Sequence, residues 1–182
     1  MDAYQGNSLN FGNMDGDFFN RPGISILDEN GRIKKVVYDI MDIIKERGGC
    51  LATGHISPEE SIVLCKEGRA RGVPMILTHP EFQRTKISGE IQKELAEQGV
   101  FIEKNWLNLV TGSVTAEEMA DNIRSAGVEH VYLATDRGQQ TGPSPVEEYR
   151  NFILAMLEQG FTEKELFIMT HQVPAQIIHL SA

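Results

Sequence analysis

The chain has 182 residues, of which 41% are hydrophobic, and its formal net charge is −9. A chain of this length can bury one sizeable core, so we expect one domain rather than two. Charges of both signs are mixed along the sequence without basic clusters, which argues against nucleic acid as a partner. A small neutral or cationic molecule, or a metal ion, fits this charge better.

Cysteine content and hydrophobic pattern bear on the cellular compartment. Cys50 and Cys65 lie in apolar surroundings and are too few for a disulfide framework, which favours a reducing, cytoplasmic location. The first residues lack a basic segment followed by an apolar run, and no later stretch is apolar for long enough to span a bilayer. We therefore expect a soluble protein without a membrane partner.

The first part of the chain predicts an arm, a strand and a helix. Residues 1–22 are rich in Asn, Gly and Asp with scattered aromatic side chains, and we interpret them as an extended N-terminal arm. The apolar segment 24–27 predicts a short strand closed by a turn over 28–31. Apolar residues at helical spacing then predict a helix over 36–47.

Strands and helices alternate through the rest of the sequence. Ser57, followed by Pro58 and by Glu60, is a strong signal for the start of a helix. Further starts are predicted at Ser88, Thr115, Ser144 and Thr162, and further strands at 50–53, 75–78, 100–103 and 131–135. With the segment 24–27 this makes about five strands, which predicts an α/β fold with a parallel sheet and covering helices, either doubly wound or part of a barrel. A closed eight-unit barrel usually takes about 250 residues, so the chain is too short for one.

Four polar side chains lie at or near the ends of predicted strands. His55, His79 and Asp136 are the last residue of a strand or the first residues beyond it, and Glu103 lies late in its strand. Parallel strands end on the same side of a sheet, so these side chains are expected at one ligand-binding face. Two imidazoles and a carboxylate match the ligands of a divalent metal such as zinc, which can activate water. A lone histidine at a strand end is more often structural, so the metal hypothesis depends on the clustering.

The remaining candidates are weaker. Arg137 follows Asp136 directly, and we interpret it equally as an anion-binding residue or as the partner of a carboxylate. Together with Glu103 it is the candidate for binding substrate. His130 precedes a strand and is expected at the opposite end of the sheet, while His171 and His179 belong to a C-terminal helical segment.

These residues resemble a known family. The series Thr53-Gly54-His55, Thr78-His79-Pro80 and Ala134-Thr135-Asp136, followed by Pro174-Ala175 in a terminal helix, is similar to the second half of the amidohydrolase superfamily, and most of all to an uncharacterised branch of metal-dependent hydrolases. The resemblance implies a TIM-like barrel in which His55 and His79 bind metal. It also implies that Asp136 binds metal and moves protons.

The chain also departs from that family. Its members carry a His-x-His pair on the first strand, and this chain has no such pair and no room for the first three strands. We therefore expect a partial TIM-like barrel domain over 23–182. An isolated half-barrel would expose sheet edges and an apolar inner face, so a second chain or another copy in a homo-oligomer is expected to complete it.

Three functions follow from these expectations. The first is a metal-dependent hydrolase of a small molecule, in which Asp136 takes a proton from metal-bound water attacking a C–N or ester bond, with His79 as the second catalytic residue. The second is a non-catalytic or incomplete subunit that needs a companion chain. The third is a metal-dependent decarboxylase of the same superfamily, using the same residues.

Overall fold

A computed structural model describes residues 23–139 and 142–180, so the predicted arm over 1–22 lies outside the described residues. The architecture is α/β, which confirms the predicted class. Four parallel strands stand in the sequential order β1-β2-β3-β4. They are β1 (Leu51–Ala52), β2 (Met75–Leu77), β3 (Phe101–Asn105) and β4 (Val131–Ala134). Closure of this sheet into a barrel stays a prediction.

Helices precede, connect and follow the strands. Before the sheet lies α1 (Lys35–Glu46), and the connections hold α2 (Pro58–Ala70), α3 (Gly89–Glu97), α4 (Trp106–Val110), α5 (Ala116–Ala126) and a 3₁₀ turn (Val128–His130). After β4 come α6 (Pro145–Glu158), α7 (Glu163–Phe167), a π-helical turn (Ile168–Gln172) and α8 (Val173–Ile177). No helix in the described part of the chain is long and apolar enough to cross a membrane.

The predicted helix starts are confirmed by their caps. The Ser57 hydroxyl accepts the backbone N–H of Glu60, and the Glu60 carboxylate accepts the backbone N–H of Ser57. Each such cap contributes about 1 kcal/mol because it satisfies an N–H group that has no partner within the helix. Side-chain caps are also present at Ser88, Thr115, Ser144 and Thr162.

The predicted strand over 24–27 is wrong, and the described sheet has four strands rather than about five. Leu27 forms only an isolated antiparallel bridge with Ile33. The turn between them is as predicted, since the Gly31 N–H reaches the Asp28 carbonyl at 3.0 Å. This turn sends the chain straight back on itself, so the segment pairs locally and does not join the parallel sheet.

One face of the sheet is buried against the helices. Gly68 lets α2 approach β2 closely, because a methyl group there would lie 2.3 Å from the Sδ atom of Met75. On the opposite face, Ile76, Phe101 and Tyr132 are half-buried. The buried face joins the side chains of the surrounding helices in the core, which includes Leu64, Cys65, Met75, Leu77, Leu95, Ile102, Met119, Ile123, Val131 and Leu133.

Candidate functional site

The sheet brings the candidate side chains to one edge. His55, His79 and Asp136 lie in the loops that follow β1, β2 and β4, at the carboxyl ends of these parallel strands. Glu103 differs from its predicted place, because β3 continues to Asn105 and the carboxylate lies within the strand rather than at its end. The carboxyl edge of parallel sheets is where α/β proteins bind ligands.

Two imidazole rings meet at this edge. The ring centroids of His55 and His79 are 4.6 Å apart, although the two residues are separated by a whole helix in sequence. The Phe82 ring packs beside them, with centroid distances of 6.1 Å to His55 and 5.2 Å to His79. We call these three residues the ring cluster. It joins the loops that follow β1 and β2 into one surface.

The backbone around His79 is unusual and well supported. His79 has a φ of 28°, a conformation that residues other than glycine rarely adopt. Its Nδ1 atom lies 3.1 Å from the Thr85 hydroxyl, and that hydroxyl also donates to the His79 carbonyl at 3.3 Å. The His79 backbone N–H donates to the Glu103 carboxylate at 3.2 Å. A strained residue persists when its surroundings determine it, and these contacts do so here.

Glu103 has an altered proton affinity. Burial raises its pKa, and the negative charge of Asp136 adds to this, while hydrogen bonds from the His79 backbone and the Tyr132 hydroxyl and the charge of His55 oppose it. Tyr132 is its neighbour across the pair β3–β4, and burial with the nearby carboxylate raises the pKa of the phenol. A carboxyl group with a raised pKa holds its proton closer to neutral pH, which suits acid–base chemistry.

Asp136 and Arg137 diverge after β4. Asp136 is exposed with a φ of 51°, and it lies near enough to Glu103 for its charge to raise that pKa. Arg137 turns to Glu148, whose Oε1 atom lies 3.0 Å from both Nε and Nη2. Trp106 donates its indole N–H to the other oxygen of Glu148. Of the two interpretations of Arg137, the pairing with a carboxylate is the one observed, and anion binding stays a prediction.

The other histidines lie away from the ring cluster. His130 ends the 3₁₀ turn that enters β4, which places it at the amino end of the sheet as predicted. His171 packs its ring on Phe167 in the π-helical turn, with centroids 4.7 Å apart. The Nε2 atom of His179 lies 2.8 Å from the Gly48 carbonyl.

The described residues do not by themselves fit a complete metal centre. Catalytic zinc sites use three protein ligands, and structural sites use four. Across 23–139 and 142–180, no group of three or more His, Cys, Asp or Glu side chains is arranged to hold an ion. Burial raises the pKa of Cys65 to about 12 and that of Cys50 to about 11, so neither thiol is poised to ligate as a thiolate.

Sequence reasoning missed three members of this site. Phe82 and Thr85 lie in the loop after β2, and Tyr132 lies in β4. The polar loop that follows His79 was the available signal for Thr85. Tyr132 could not be found in this way, because its pairing with Glu103 depends on the register between two strands and is not written in either strand alone.

Fold and site together define an α/β protein with imidazole and carboxyl side chains at the carboxyl edge of a parallel sheet. A family of unknown function, DUF6282, matches residues 3–103, over half of the chain, and the chain belongs to this family. No curated protein and no solved structure matches it. Nothing in these comparisons links the chain to the amidohydrolase superfamily, so that resemblance stays a prediction. The family match contains the ring cluster and Glu103 and ends before Asp136.

Proposed function

We propose that this chain is a subunit of a small-molecule hydrolase whose reactive centre forms at the carboxyl edge of the sheet. The observation that supports this most is the close approach of His55 and His79, with ring centroids 4.6 Å apart, beside a carboxyl group of raised pKa at Glu103. Titratable groups with altered proton affinity gather at functional sites more than elsewhere.

The two carboxyl groups suit different roles. Asp136 is exposed and is the carboxylate proposed as the base, whereas Glu103 is half-buried and burial raises its pKa. In the proposed reaction a water molecule gives its proton to Asp136 and its oxygen attacks the carbonyl carbon of an amide or ester. The C–N or C–O bond then breaks, and the leaving group takes a proton from His79.

The proposal includes a divalent metal ion, with zinc as the first to test, whose ligands come only in part from the described residues. His55 would supply one imidazole ligand, since His79 acts here as the proton donor, and the described residues provide no complete set. Side chains from another copy or from a second chain are the sources of the remaining ligands to test. No step of the proposed proton transfer is assigned to the ion.

Assembly is the second part of the proposal. β1 and β4 are the outer strands of the described sheet, and half of the backbone hydrogen-bonding groups of an outer strand face away from its neighbour. The half-buried face with Ile76, Phe101 and Tyr132 is the side that a barrel would enclose. A homo-oligomer or a second chain would cover these groups and complete the site.

A specific observation also favours the alternative of an incomplete, non-catalytic subunit. The partial ligand set at the ring cluster is what such a subunit would keep. In that case the isolated chain would neither bind metal tightly nor turn over substrate. A companion chain with the remaining ligands would restore both.

The proposal is tested with the purified full-length chain on a panel of small amides and esters, with and without added zinc. We expect hydrolysis that falls at least about 100-fold in Asp136→Asn and His79→Ala, since acid–base groups typically contribute this much or more. His130→Ala is the matched control, because it removes a histidine from the other end of the sheet. Equal losses in all three variants would contradict the proposal, and no hydrolysis in any oligomeric state of this chain would favour the non-catalytic subunit instead.

A further inference from the structure

Two consecutive residues of β3 contact the loop after β2 from opposite faces of the sheet. Successive side chains of a strand point to opposite sides, so Glu103 faces the ring cluster and Lys104 faces the helices. Glu103 accepts the backbone N–H of His79. Lys104 bonds to the carboxylate of Glu81, two residues further along the same loop.

The Lys104 side of this arrangement is a polar network buried in the core. Lys104 is 0% exposed and Glu81 is 1% exposed. The Lys104 ammonium also donates to the side-chain oxygen of Gln92, and Asn122 donates to Glu81 at 3.2 Å. Gln92 in turn donates to the Ile87 carbonyl at 2.8 Å.

The network therefore holds the loop near both its ends. Glu81 lies near the start of the loop and Ile87 lies near its end, and the Ile87 N–H reaches back to the Pro80 carbonyl at 2.8 Å. Between them lie Phe82 and Thr85, which contact the His79 ring. Lys104 is thus connected, through Glu81 and Gln92, to residues near both ends of the loop, without touching the ring cluster itself.

Stability alone is a poor reason for this ion pair. Removing two charges from water is expensive, and well-packed apolar residues often stabilise a core as well as or better than a buried pair does. A strained backbone at His79, by contrast, needs surroundings that fix it in one arrangement. A buried network that is anchored near both ends of the loop can help to specify such an arrangement.

We propose that Lys104, acting through Glu81, is a positioning residue that sets the orientation of the His79 imidazole relative to His55. The role assigned to His79 in chemistry depends on the proposed function above. The positioning itself is a property of the fold and can be tested without any substrate. Lys104 is not a catalytic residue in this account, because it lies on the far side of the strand from the ring cluster.

The test compares the ¹⁵N chemical shifts of the histidine rings at one fixed pH in the full-length wild-type chain and in variants. Lys104→Met leaves a buried Glu81 without its cation and risks unfolding, so the deciding variant is Lys104→Met with Glu81→Leu, which replaces the pair by apolar groups. We expect the His79 ring shifts, which report its tautomer and its contact with Thr85, to move in the double variant by several times more than those of His130 and His171. These two histidines are internal controls in the same sample.

Two outcomes would overturn the positioning role. One is a folded double variant whose His79 shifts match those of the wild type, which would make the pair purely structural. The other is equal movement of His79, His130 and His171, which would indicate a general loosening. If the double variant does not fold, Glu81→Gln, which keeps the side-chain shape, is measured in the same way, and unchanged His79 shifts there would again reject the proposal. The ¹⁵N measurements need no substrate, so a failed hydrolysis screen would not change their interpretation.

Discussion

The loop after β2 and the loop after β4 lie at the same edge of the sheet but are built differently. The first buries His79 and ties it to Thr85, to Glu103 and, through Glu81, to Lys104. The second leaves Asp136 exposed, with no described hydrogen bond to its carboxylate. One half of the carboxyl edge is therefore fixed by the fold, and the other half is exposed, which under the proposed function leaves it open to a ligand or to a further chain.

Breaking the buried Lys104–Glu81 pair, which supports the loop after β2, should lower the free energy of unfolding more than any change in the loop after β4. Lys104→Met removes the cation facing Glu81, and breaking a buried ion pair from one side typically lowers the free energy of unfolding by about 3–5 kcal/mol. Adding Glu81→Leu should recover most of this loss, because no buried charge is then left alone. Urea unfolding followed by circular dichroism measures both. A double variant as unstable as Lys104→Met would contradict this explanation, because the loss could then not come from the unpaired charge of Glu81.

The corresponding change after β4 should have a smaller effect. Arg137→Met leaves Glu148 with the Trp106 indole N–H as a remaining donor, and Arg137 is 14% exposed, so the expected loss is about 1–3 kcal/mol. Trp106 is the single tryptophan of the chain, so its fluorescence reports the altered contact directly. Arg124→Met, at a more exposed position, is the control. A loss equal to that of Lys104→Met would remove the distinction between the two loops.

The start of α2, directly after the His55 loop, should respond to pH in one direction. Hydrogen bonds from Ser25, Ile26 and Ser57 lower the pKa of Glu60 against the opposing effect of burial. A depressed pKa stabilises the folded state above the unfolded value of about 4.3, and this contribution is lost as the pH falls through the folded value. Glu60→Gln should therefore be less stable than the wild type by about 1 kcal/mol at neutral pH. The difference should shrink on acidification, as denaturation at several pH values would show, and a constant difference would contradict the assignment.

Glu103 should show the opposite pH dependence and the smallest effect. Its pKa is raised, chiefly by burial. A raised pKa contributes stability that is present below the unfolded value and is lost as the pH rises through the folded value. The wild type should therefore gain stability relative to Glu103→Gln as the pH is lowered from neutral to about 4. The same denaturation series measures it, and a gain for the variant instead would mean that the carboxylate is held in its charged form.

Local signals in the sequence predicted much of the fold. Helix starts such as Ser57 and Ser144 are decided within four residues, so they could be read directly. The alternation of strands and helices gave the parallel sheet and hence the common edge of His55, His79 and Asp136. The segment 24–27 failed because its turn, although correctly predicted, returns the chain on itself before a strand can join the sheet.

Contacts between distant residues account for what the sequence did not predict. Lys104 reaches Glu81, 23 residues away, and Trp106 reaches Glu148, 42 residues away. No local pattern marks such partners, because they meet only once the strands are in register. Lys104 directly follows the predicted strand 100–103, so its place on the helix-facing side of β3, where a charged side chain needs a buried partner, was not evident from the sequence.

The most direct test of a reactive edge completed by further residues is the metal content of the purified full-length chain, taken with its mass in solution. The account predicts that zinc, where retained, accompanies an assembled state and is lost in His55→Ala but kept in His130→Ala. A monomer that holds zinc stoichiometrically in His55→Ala and Asp136→Ala alike would contradict it, because the ion would then lie somewhere other than the carboxyl edge of the sheet.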